Sequence, residues 1–336
     1  MSTGTSERRP TLTVTLNAAV DTTLTIDHLV AGESYTVQEV LKLPGGKGVN
    51  VARTLRGLGI PVWATGLAGG PSAAFVLDGL VAEGIEPHFS SISGATRICT
   101  AVVERESHRA TEFNEPGPTV LYDEFRRFER TFKRLLRRVE LVAICGSLPA
   151  GLPDDCYTRL VGLAHAAGVP SLVDTSGRAF APALEARPLL VKPNAREAGA
   201  FVGRPVATPD DALQAGRQLR AAGAEMALIT LGAAGAVFAH ERGAWFVQAE
   251  RVERPLSTVG CGDAFNGGLL AELYEAVAGG AAPNIVAAAQ DEAVLMRGLS
   301  LGAACAAANT LLLGAGRMDQ ADVQRFRQTV TIQRLG

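Results

Sequence analysis

Short apolar runs recur along the chain and alternate with longer segments of helical periodicity. Helical patterns such as "DCYTRLVGLAHAAG" and "PDDALQAGRQLRAAG" lie between the runs. A parallel sheet covered by helices on both faces is typical of this alternation, because its strands are buried on both sides. The strands are predicted at residues 11–16, 141–146, 171–176, 188–194 and 226–232.

Residues 20–43 and 96–115 do not show this alternation of apolar runs and helical segments. Both segments alternate like exposed antiparallel strands, and no helical pattern separates their parts. We expect them to form a small β-sheet that stands off the main domain as a lid or a dimer surface. The rest of the chain is predicted as a flexible N-terminal tail (1–10), one α/β domain (11–325) and a C-terminal tail (326–336).

Three further segments have a plain structural explanation. Residues 298–316 are about as long as a membrane span, but they are rich in alanine and glycine and contain Asn309, so we expect a buried helix. Residues 123–140 are basic, yet their apolar side chains fall at helical spacing, which predicts a packed helix with solvated arginines. Residues 277–298 contain a Gly/Ala/Pro loop that predicts a surface excursion.

Composition and charge narrow the class of protein. The 336 residues are 47% hydrophobic, so we expect a globular protein with a large buried core. Their formal net charge is only −2, so we expect neither a nucleic-acid nor a membrane partner. An anionic ligand would have to be held by local groups. The five cysteines are scattered without a CxxC pair and the start lacks the apolar core of a signal peptide, which predicts a cytoplasmic location.

The stretch "STVGCGDAFNGG", residues 257–268, places an aspartate behind two glycines at the start of a helical pattern. The backbone N–H groups of Gly260, Cys261, Gly262 and Asp263 would then converge on an anion at a helix N-terminus. Such an anion hole with a carboxylate at its edge suits phosphoryl transfer, in which Asp263 takes the proton of the attacking hydroxyl. A simple helix cap by Asp263 is the alternative explanation.

A second glycine cluster, "LPGGKGVNVA" at residues 43–52, also opens a helix. It lacks the third glycine of a dinucleotide fingerprint and a convincing strand before it, and it is not a Walker A loop because Gly48 follows Lys47. The backbone amides, Lys47 and Asn50 therefore predict a polar-ligand site. A purely structural glycine turn is the alternative.

Two more motifs lie at predicted strand ends. "TLGAAG", residues 230–235, ends a strand in a turn, and ligands of open parallel sheets bind beyond the carboxyl ends of strands. "VKPNAREAG" places Lys192, Asn194 and Glu197 around a strand end and a helix start. A capping box would explain Asn194 and Glu197 locally. The functional alternative puts the lysine near nucleotide phosphates and the carboxylate near hydrated Mg²⁺.

These motifs in this order resemble the ribokinase-like carbohydrate kinases, also called the phosphofructokinase B (PfkB) family. "GGKGVNVARTLRGLG" is similar to the N-terminal signature of the family and "STVGCGDAFNGG" to its C-terminal signature, with "GSLPAG", "VDTSG", "VKPNAREAG" and "TLGAAG" between them. The resemblance covers residues 11–320. It implies a three-layer α/β/α fold with a mostly parallel central sheet and a small β-sheet lid.

Within the family, "TLNAAVD", "TRICTAVVE" and "TEFNEPGP" resemble the branch that phosphorylates hexose phosphates. That branch includes 1-phosphofructokinase, tagatose-6-phosphate kinase and the minor 6-phosphofructokinase. The resemblance implies that Arg97 contacts the sugar phosphate, which a guanidinium can hold through two hydrogen bonds. The implied substrate site comprises Asp21, Gly45, Gly46, Lys47, Asn50, Arg97 and Ser147.

The resemblance assigns ATP to a second set of residues: Lys192, Asn194, Thr230, Gly232 and Gly235. It further implies that Glu197 places Mg²⁺ through water and that Asp263 is the general base facing the amides of Gly260, Cys261 and Gly262. A monovalent cation near Ser257 and Val259 stays open. Family analogy also implies a homodimer that pairs through its lids and so covers their edges.

The sequence departs from the family pattern at two places, and each departure predicts an effect on the site. Cys261 replaces the usual alanine, and its thiol would disturb the anion hole or make it sensitive to oxidants. The excursion at residues 279–290 is longer than typical and would alter nucleotide access.

The resulting hypothesis is ATP-dependent phosphorylation of fructose 1-phosphate or tagatose 6-phosphate to the 1,6-bisphosphate. A 6-phosphofructokinase, or a kinase of an unphosphorylated sugar or nucleoside, is the alternative within the class. A nicotinamide oxidoreductase would use the glycines at 45–48, but no acidic ribose partner follows them. A non-catalytic sugar-phosphate sensor would keep Lys47 and Arg97, yet it would not need Asp263.

Overall fold

The computed structural model describes residues 8–37, 39–107 and 109–336. The strands are β1 (Thr11–Thr15), β2 (Ala19–Ile26), β3 (Glu39–Gly45), β4 (Val62–Gly69), β5 (Glu86–Pro87), β6 (Ser90–Ile92), β7 (Arg97–Glu104), β8 (Ala110–Asn114), β9 (Leu141–Cys145), β10 (Ser171–Asp174), β11 (Leu190–Val191), β12 (Met226–Thr230), β13 (Ala236–His240), β14 (Gly243–Gln248) and β15 (Thr331–Leu335). The helices are α1 (Lys47–Gly57), α2 (Gly70–Ala82), α3 (Tyr122–Leu136), α4 (Cys156–Ala166), α5 (Phe180–Glu185), α6 (Ala195–Val202), α7 (Pro209–Ala221), α8 (Cys261–Ala278), α9 (Ile285–Gln290), α10 (Glu292–Asn309) and α11 (Gln320–Arg327).

The main sheet has the strand order β15-β14-β13-β12-β11-β10-β9-β1-β4-β5, with β6 added to β4. The strands from β4 to β12 in this order are parallel, and β13, β14 and β15 extend the sheet in antiparallel pairs. Side chains of β9 alternate between two cores: Leu141, Ala143 and Cys145 pack into one, Val142 and Ile144 into the other. This two-sided burial requires helices on both faces and confirms the expected three-layer fold.

The second sheet has the order β3-β2-β7-β8 and forms the lid expected at residues 20–43 and 96–115. Its two hairpins, β2–β3 and β7–β8, are antiparallel as expected. The central pair β2–β7 is parallel, which differs from the expectation of antiparallel strands throughout. The reason is that β1 precedes β2 and β6 precedes β7, and β1 and β6 both run parallel to β4, so the chain enters both hairpins from the same side.

The C-terminal residues differ from the predicted tail at 326–336. Thr331–Leu335 forms β15, which pairs with β14 and places Ile332 opposite Val247. The period-two pattern of this strand is weak because Arg334 shares a face with Ile332. Most of the predicted N-terminal tail, residues 1–7, lies outside the described residues.

The excursion at residues 277–298 contains a short helix directly after its Gly/Ala/Pro loop. Its short helix α9 begins after Asn284, whose side chain accepts a hydrogen bond from the N–H of Ala287, and it buries Ile285 and Ala288 against the core. Residues 298–309 of the apolar segment belong to α10, a buried helix as predicted, whereas residues 310–316 lie beyond its end. Within the described residues, no helix is both long and apolar enough to cross a membrane.

The basic segment forms α3, whose apolar side chains are buried as predicted. Phe125, Phe128 and Phe132 are fully buried, and adjacent ring centroids lie 6.1 and 5.9 Å apart. Exposed arginines occupy the opposite face of the helix. The basic character of α3 is therefore explained by an amphipathic helix that packs on the sheet.

We expect Phe128→Ala to lower the free energy of unfolding by about 3–5 kcal/mol, because it leaves a cavity within this stack. Arg130→Ala, on the exposed face of the same helix, should change it by less than about 0.5 kcal/mol. Chemical denaturation of both variants measures the difference. Equal effects would contradict the assignment of the two faces.

Candidate active site

Strands β1, β9, β10, β11 and β12 end at the same edge of the main sheet, and polar residues follow directly after most of them. A cavity of about 500 Å³, here called the lid cavity, lies between this edge and the lid sheet. The lid contributes Asp21 and Arg97, and the main domain contributes Lys47, Lys192 and Asp263. Residues far apart in sequence thus meet at the position where ligands of open parallel sheets bind.

The start of helix α8 has the glycine backbone that the "GCGD" motif predicts, but the Cys261 N–H donates to the Thr258 carbonyl at 3.4 Å and is not one of the free donors expected there. Gly260 is left-handed, with φ 81°, and a Cβ there would lie 2.4 Å from the Cβ of Ala315. No side chain caps the helix. The N–H groups of Gly262 and Asp263 have no hydrogen-bond partner among the described residues. The helix therefore presents free donors at its positive end.

Asp263 does not cap α8, which removes the simpler explanation for this residue. Its Oδ2 accepts a hydrogen bond from Nδ2 of Asn50 at 2.8 Å, and the side chain lines the lid cavity. Burial raises the pKa of the carboxyl to about 7, and the negative charge of Asp174 adds to this rise. Lys47, Asn50 and Lys192 act in the opposite direction but do not outweigh them. Asp263 can therefore accept and release a proton near neutral pH.

Asp174, at the end of β10, is a site residue for which the sequence suggested no role. It is fully buried. Its Oδ1 lies 2.7 Å from Nζ of Lys47, and its Oδ2 lies 2.9 Å from Nζ of Lys192. Asn266 Nδ2 donates a third hydrogen bond at 2.8 Å. Burial alone would raise the pKa of Asp174, but Lys192 and Lys47 lower it to about 2. The only signal in the sequence was the "VDTSG" motif that contains it.

Lys47 extends from the first residue of α1 into the lid cavity. Burial opposes its charge, but Asp174, Glu197 and Asp263 together raise its pKa above the usual lysine value. The Glu197 Oε1 lies 3.8 Å from its Nζ. Lys47 is therefore a permanent cation at the site.

The glycine loop before α1 is shaped around Asp21. A Cβ at Gly45 would lie 2.1 Å from Cγ of Asp21, and Gly46 has φ 102°. Strand β3, which falls largely within the predicted lid segment 20–43, leads directly into this loop. Because β3 belongs to the lid sheet, the loop is still not part of a dinucleotide-binding βαβ unit.

Arg97 and Ser147, both predicted to bind the sugar phosphate, occupy different surroundings. Arg97 lines the lid cavity, with Nη1 donating to the Glu115 carbonyl at 2.9 Å and Nη2 to the Asn17 carbonyl at 3.3 Å. Its buried Nε has no partner among the described residues. Ser147 is not among the residues that line this cavity, and its Oγ accepts a hydrogen bond from Nδ2 of Asn17 at 3.0 Å.

A second cavity of about 430 Å³, here called the turn cavity, adjoins the first. Four of the five predicted nucleotide residues, Asn194, Thr230, Gly232 and Gly235, line it, together with apolar side chains such as Val247, Val252 and Phe265. The fifth, Lys192, lines the lid cavity and not this one. Thr258, Gly262, Asn194 and Thr230 line both cavities. None of the described residues 279–290 lines either one, so the predicted effect of the excursion on nucleotide access is not supported.

Lys192 and the start of α8 come together between the two cavities. A Cβ at Gly262 would lie 3.0 Å from Nζ of Lys192, so glycine permits the ammonium to approach the helix N-terminus. A cation and the positive end of a helix at one point are complementary to an anion.

Asn194 and Glu197 form the capping box that the sequence allowed. The Glu197 N–H donates to Asn194 Oδ1, and the Asn194 N–H donates to Glu197 Oε2, both at 2.9 Å. The other carboxylate oxygen of Glu197 faces Lys47. The local and the functional explanations of these residues are therefore compatible.

Cys261 differs from what was expected of it. Its side chain lines the turn cavity and not the lid cavity, and its Sγ accepts a hydrogen bond from Nδ2 of Asn309 at 3.6 Å. Burial raises the pKa of the thiol to about 11. A protonated thiol reacts slowly with oxidants, so the expected sensitivity to oxidation is not supported.

Comparison with known families agrees with this arrangement. Residues 14–320 match the model of the pfkB family carbohydrate kinases. The chain belongs to this family. A pfkB family member is a sugar kinase, so the resemblance inferred from the motifs is confirmed and the nicotinamide oxidoreductase alternative is not supported.

Solved structures of related kinases share the fold of this pfkB family member. A possible 1-phosphofructokinase of Thermotoga maritima is 26% identical with a TM-score of 0.85, and the match covers 97% of this chain and 99% of that one. Phosphofructokinase-2 of Escherichia coli, in a tetrameric inhibited form and in complex with potassium, is 27% identical with a TM-score of 0.81, covering 95% and 98%. Arabidopsis thaliana ribokinase is 19% identical with a TM-score of 0.71, covering 96% and 99%.

The electrostatics of Asp263 predict how stability depends on pH. The carboxyl titrates near its usual pKa in the unfolded chain but at about 7 in the folded protein, so its ionisation destabilises the fold progressively as pH rises from about 4 to about 7. We expect Asp263→Asn to raise the melting temperature at pH 8. The gain should shrink as pH falls through this range, as measured by thermal unfolding.

A difference between the two proteins that is constant across that range would contradict the raised pKa of Asp263. Asn is a suitable replacement because its side-chain oxygen can still accept the hydrogen bond from Asn50.

Proposed function

We propose that this sugar kinase transfers the γ-phosphoryl group of ATP to fructose 1-phosphate or tagatose 6-phosphate and forms the 1,6-bisphosphate. The observation that carries the proposal is the position of Asp263. Its buried carboxylate lies in the lid cavity, beside free helix N–H groups that border the turn cavity as well. An acceptor hydroxyl and a phosphoryl donor would meet at this junction.

In the proposed reaction, Asp263 removes the proton from the attacking hydroxyl. A pKa of about 7 leaves much of the carboxyl ionised at neutral pH while keeping it basic enough to accept a proton. The N–H groups at the start of α8 and the ammonium groups of Lys47 and Lys192 stabilise negative charge on the moving phosphoryl. Asp174 keeps both ammonium groups in place.

The nucleotide is proposed to occupy the turn cavity. Its apolar wall suits an adenine ring, while Thr230, Gly232, Gly235 and Asn194 suit the polar part of the nucleotide. Glu197 fits Mg²⁺ held through water, because one carboxylate oxygen is used by the capping box and the other is free to accept a hydrogen bond. Mg²⁺, when bound, neutralises phosphate charge.

The lid is proposed to pair with the lid of a second copy. Its strands carry exposed apolar side chains, Val40 on the edge strand β3, Phe113 on the edge strand β8 and Ile98 on the inner strand β7. The potassium complex of Escherichia coli phosphofructokinase-2 supports a monovalent cation near Ser257 and Val259 as part of the proposal. A cytoplasmic location stays a prediction, in keeping with five free cysteines.

Arg97 is proposed to bind the phosphate of the substrate. It combines a fixed charge with a buried Nε that lacks a partner among the described residues, and Gly46 and Lys47 line the same cavity. Fructose 6-phosphate is the second candidate substrate, because phosphofructokinase-2 of Escherichia coli, one of the similar structures, has been solved with that sugar.

We expect Asp263→Asn to lower kcat by about two to four orders of magnitude, since it removes the general base. The KM for ATP should change little, because the backbone N–H groups remain. In the unmodified enzyme kcat should rise with pH through about 7, the pKa of Asp263. An ADP-release assay from about pH 5.5 to about pH 9 measures both effects.

Turnover of the Asn variant near that of the unmodified enzyme would rule out Asp263 as the base. The stability measurement described above shows whether this variant is folded under the assay conditions.

We expect Arg97→Ala to raise the KM for the preferred sugar phosphate by about 10- to 100-fold, the effect of losing a hydrogen bond to a charged group. Arg105→Ala is the matched control, because Arg105 also lies on the lid but pairs with Asp27 and Glu39 outside the cavity. The assay compares fructose 1-phosphate, tagatose 6-phosphate, fructose 6-phosphate, ribose and adenosine. An unchanged KM in the Arg97 variant, or preference for a neutral substrate, would contradict the proposed phosphate contact.

A further inference from the structure

Arg53 is a buried arginine that belongs to neither predicted ligand site. It lies on α1, one turn after Asn50, and only 8% of its surface is exposed. A guanidinium has five N–H donors and no acceptor, and here every donor has a partner. Nε donates to Glu83 Oε2 at 2.7 Å, Nη1 to Asn50 Oδ1 at 3.2 Å and to the Ala315 carbonyl at 2.7 Å, and Nη2 to the Pro44 carbonyl at 2.7 Å and to Glu83 Oε1 at 2.9 Å.

This network determines the orientation of the Asn50 amide. Because Arg53 can only donate, Oδ1 of Asn50 has to face it, and the NH₂ group then faces Asp263, where Nδ2 donates to Oδ2 at 2.8 Å. A rotated amide would place its oxygen against the carboxylate and its NH₂ against the guanidinium. Both contacts would be repulsive in a buried site.

We propose that Arg53 is a positioning residue for phosphoryl transfer, which holds the Asn50 amide so that its N–H group donates to the base, Asp263. The inference rests on the proposed function, because it takes Asp263 as the base. Arg53 acts through Asn50 and does not itself touch the lid cavity.

Through its other hydrogen bonds, the Arg53 guanidinium connects three parts of the site. The Pro44 carbonyl precedes the glycine loop that surrounds Asp21, and Ala315 packs against Gly260 at the start of α8. Glu83, just after α2, neutralises the buried charge with both carboxylate oxygens. A lysine could make at most three of the five hydrogen bonds.

The effect on Asp263 has a definite sign. The groups that face its carboxyl are Lys47 and Asn50 from α1, Asp174 from β10 and Lys192 after β11. Of these, only the donation from Asn50 depends on Arg53. Losing a hydrogen bond to the ionised form raises the pKa of a carboxyl, so the base would then require a higher pH to be active.

The test is Arg53→Met, with Arg56→Met as the matched control on an exposed position of the same helix. We expect the Arg53 variant to lose about 10- to 100-fold in kcat, with a change in the KM for ATP below about threefold. The acidic limb of its pH–kcat profile should move up by about one pH unit. The control should retain the kcat and the profile of the unmodified enzyme.

A double-mutant cycle with Asn50→Ala separates positioning from a general structural effect. If Arg53 acts through Asn50, adding Arg53→Met to Asn50→Ala should lower kcat by less than about threefold, because the amide that it orients is gone. Independent losses of kcat that multiply would overturn the proposal.

Loss of folding is handled by a second variant. Arg53→Met leaves the carboxylate of Glu83 without its partner, so we pair it with Glu83→Gln, and thermal unfolding of the double variant reports whether it folds. In this folded protein an unmoved acidic limb would overturn the role of Arg53. Full turnover by Asp263→Asn would instead overturn the proposed base, so the two failures are distinguishable.

Discussion

The charge of Asp174 in the centre of the molecule is the interaction on which the site depends. A carboxylate without exposed surface is stable there only because Lys47, Lys192 and Asn266 donate to it. These three residues come from the start of α1, the end of β11 and the helix α8. Asp174 therefore joins the substrate loop, the nucleotide side and the helix that carries the base, and the loss of either lysine would leave its buried charge with a single ammonium partner.

The charge of Asp174 also contributes to the raised pKa of Asp263, the proposed base. Asp174 and Asp263 lie close enough for the first to raise the pKa of the second, whereas the lysines that Asp174 binds act in the opposite direction. Paired carboxylates with separated pKa values are a common means of obtaining one permanent anion and one proton acceptor from the same residue type. Here Asp174, with a pKa of about 2, is the anion, and Asp263, with a pKa of about 7, is the acceptor.

The sequence predicted the parts of the molecule that depend on local patterns. Continuous apolar runs predicted the parallel strands β1, β9, β10, β11 and β12 but not β4, which pairs with β1 in the same sheet. The glycines of "GCGD" predicted the bare start of α8. It did not predict the roles of Asp174 and Arg53, whose partners lie up to 262 positions away along the chain. Nor did it predict β15, in which Arg334 shares a face with Ile332 and interrupts the alternation of apolar and polar residues.

A helix cap and a general base require opposite orientations of the Asp263 carboxylate. A capping carboxylate turns back to the N–H groups of its own helix and satisfies them, which would fill the anion site. In this chain Asn50 holds the carboxylate away from those N–H groups, and Gly260, which has no side chain, occupies the capping position. The donors at the start of α8 thus stay free for an anion because a residue on another helix, itself oriented by Arg53, holds the aspartate.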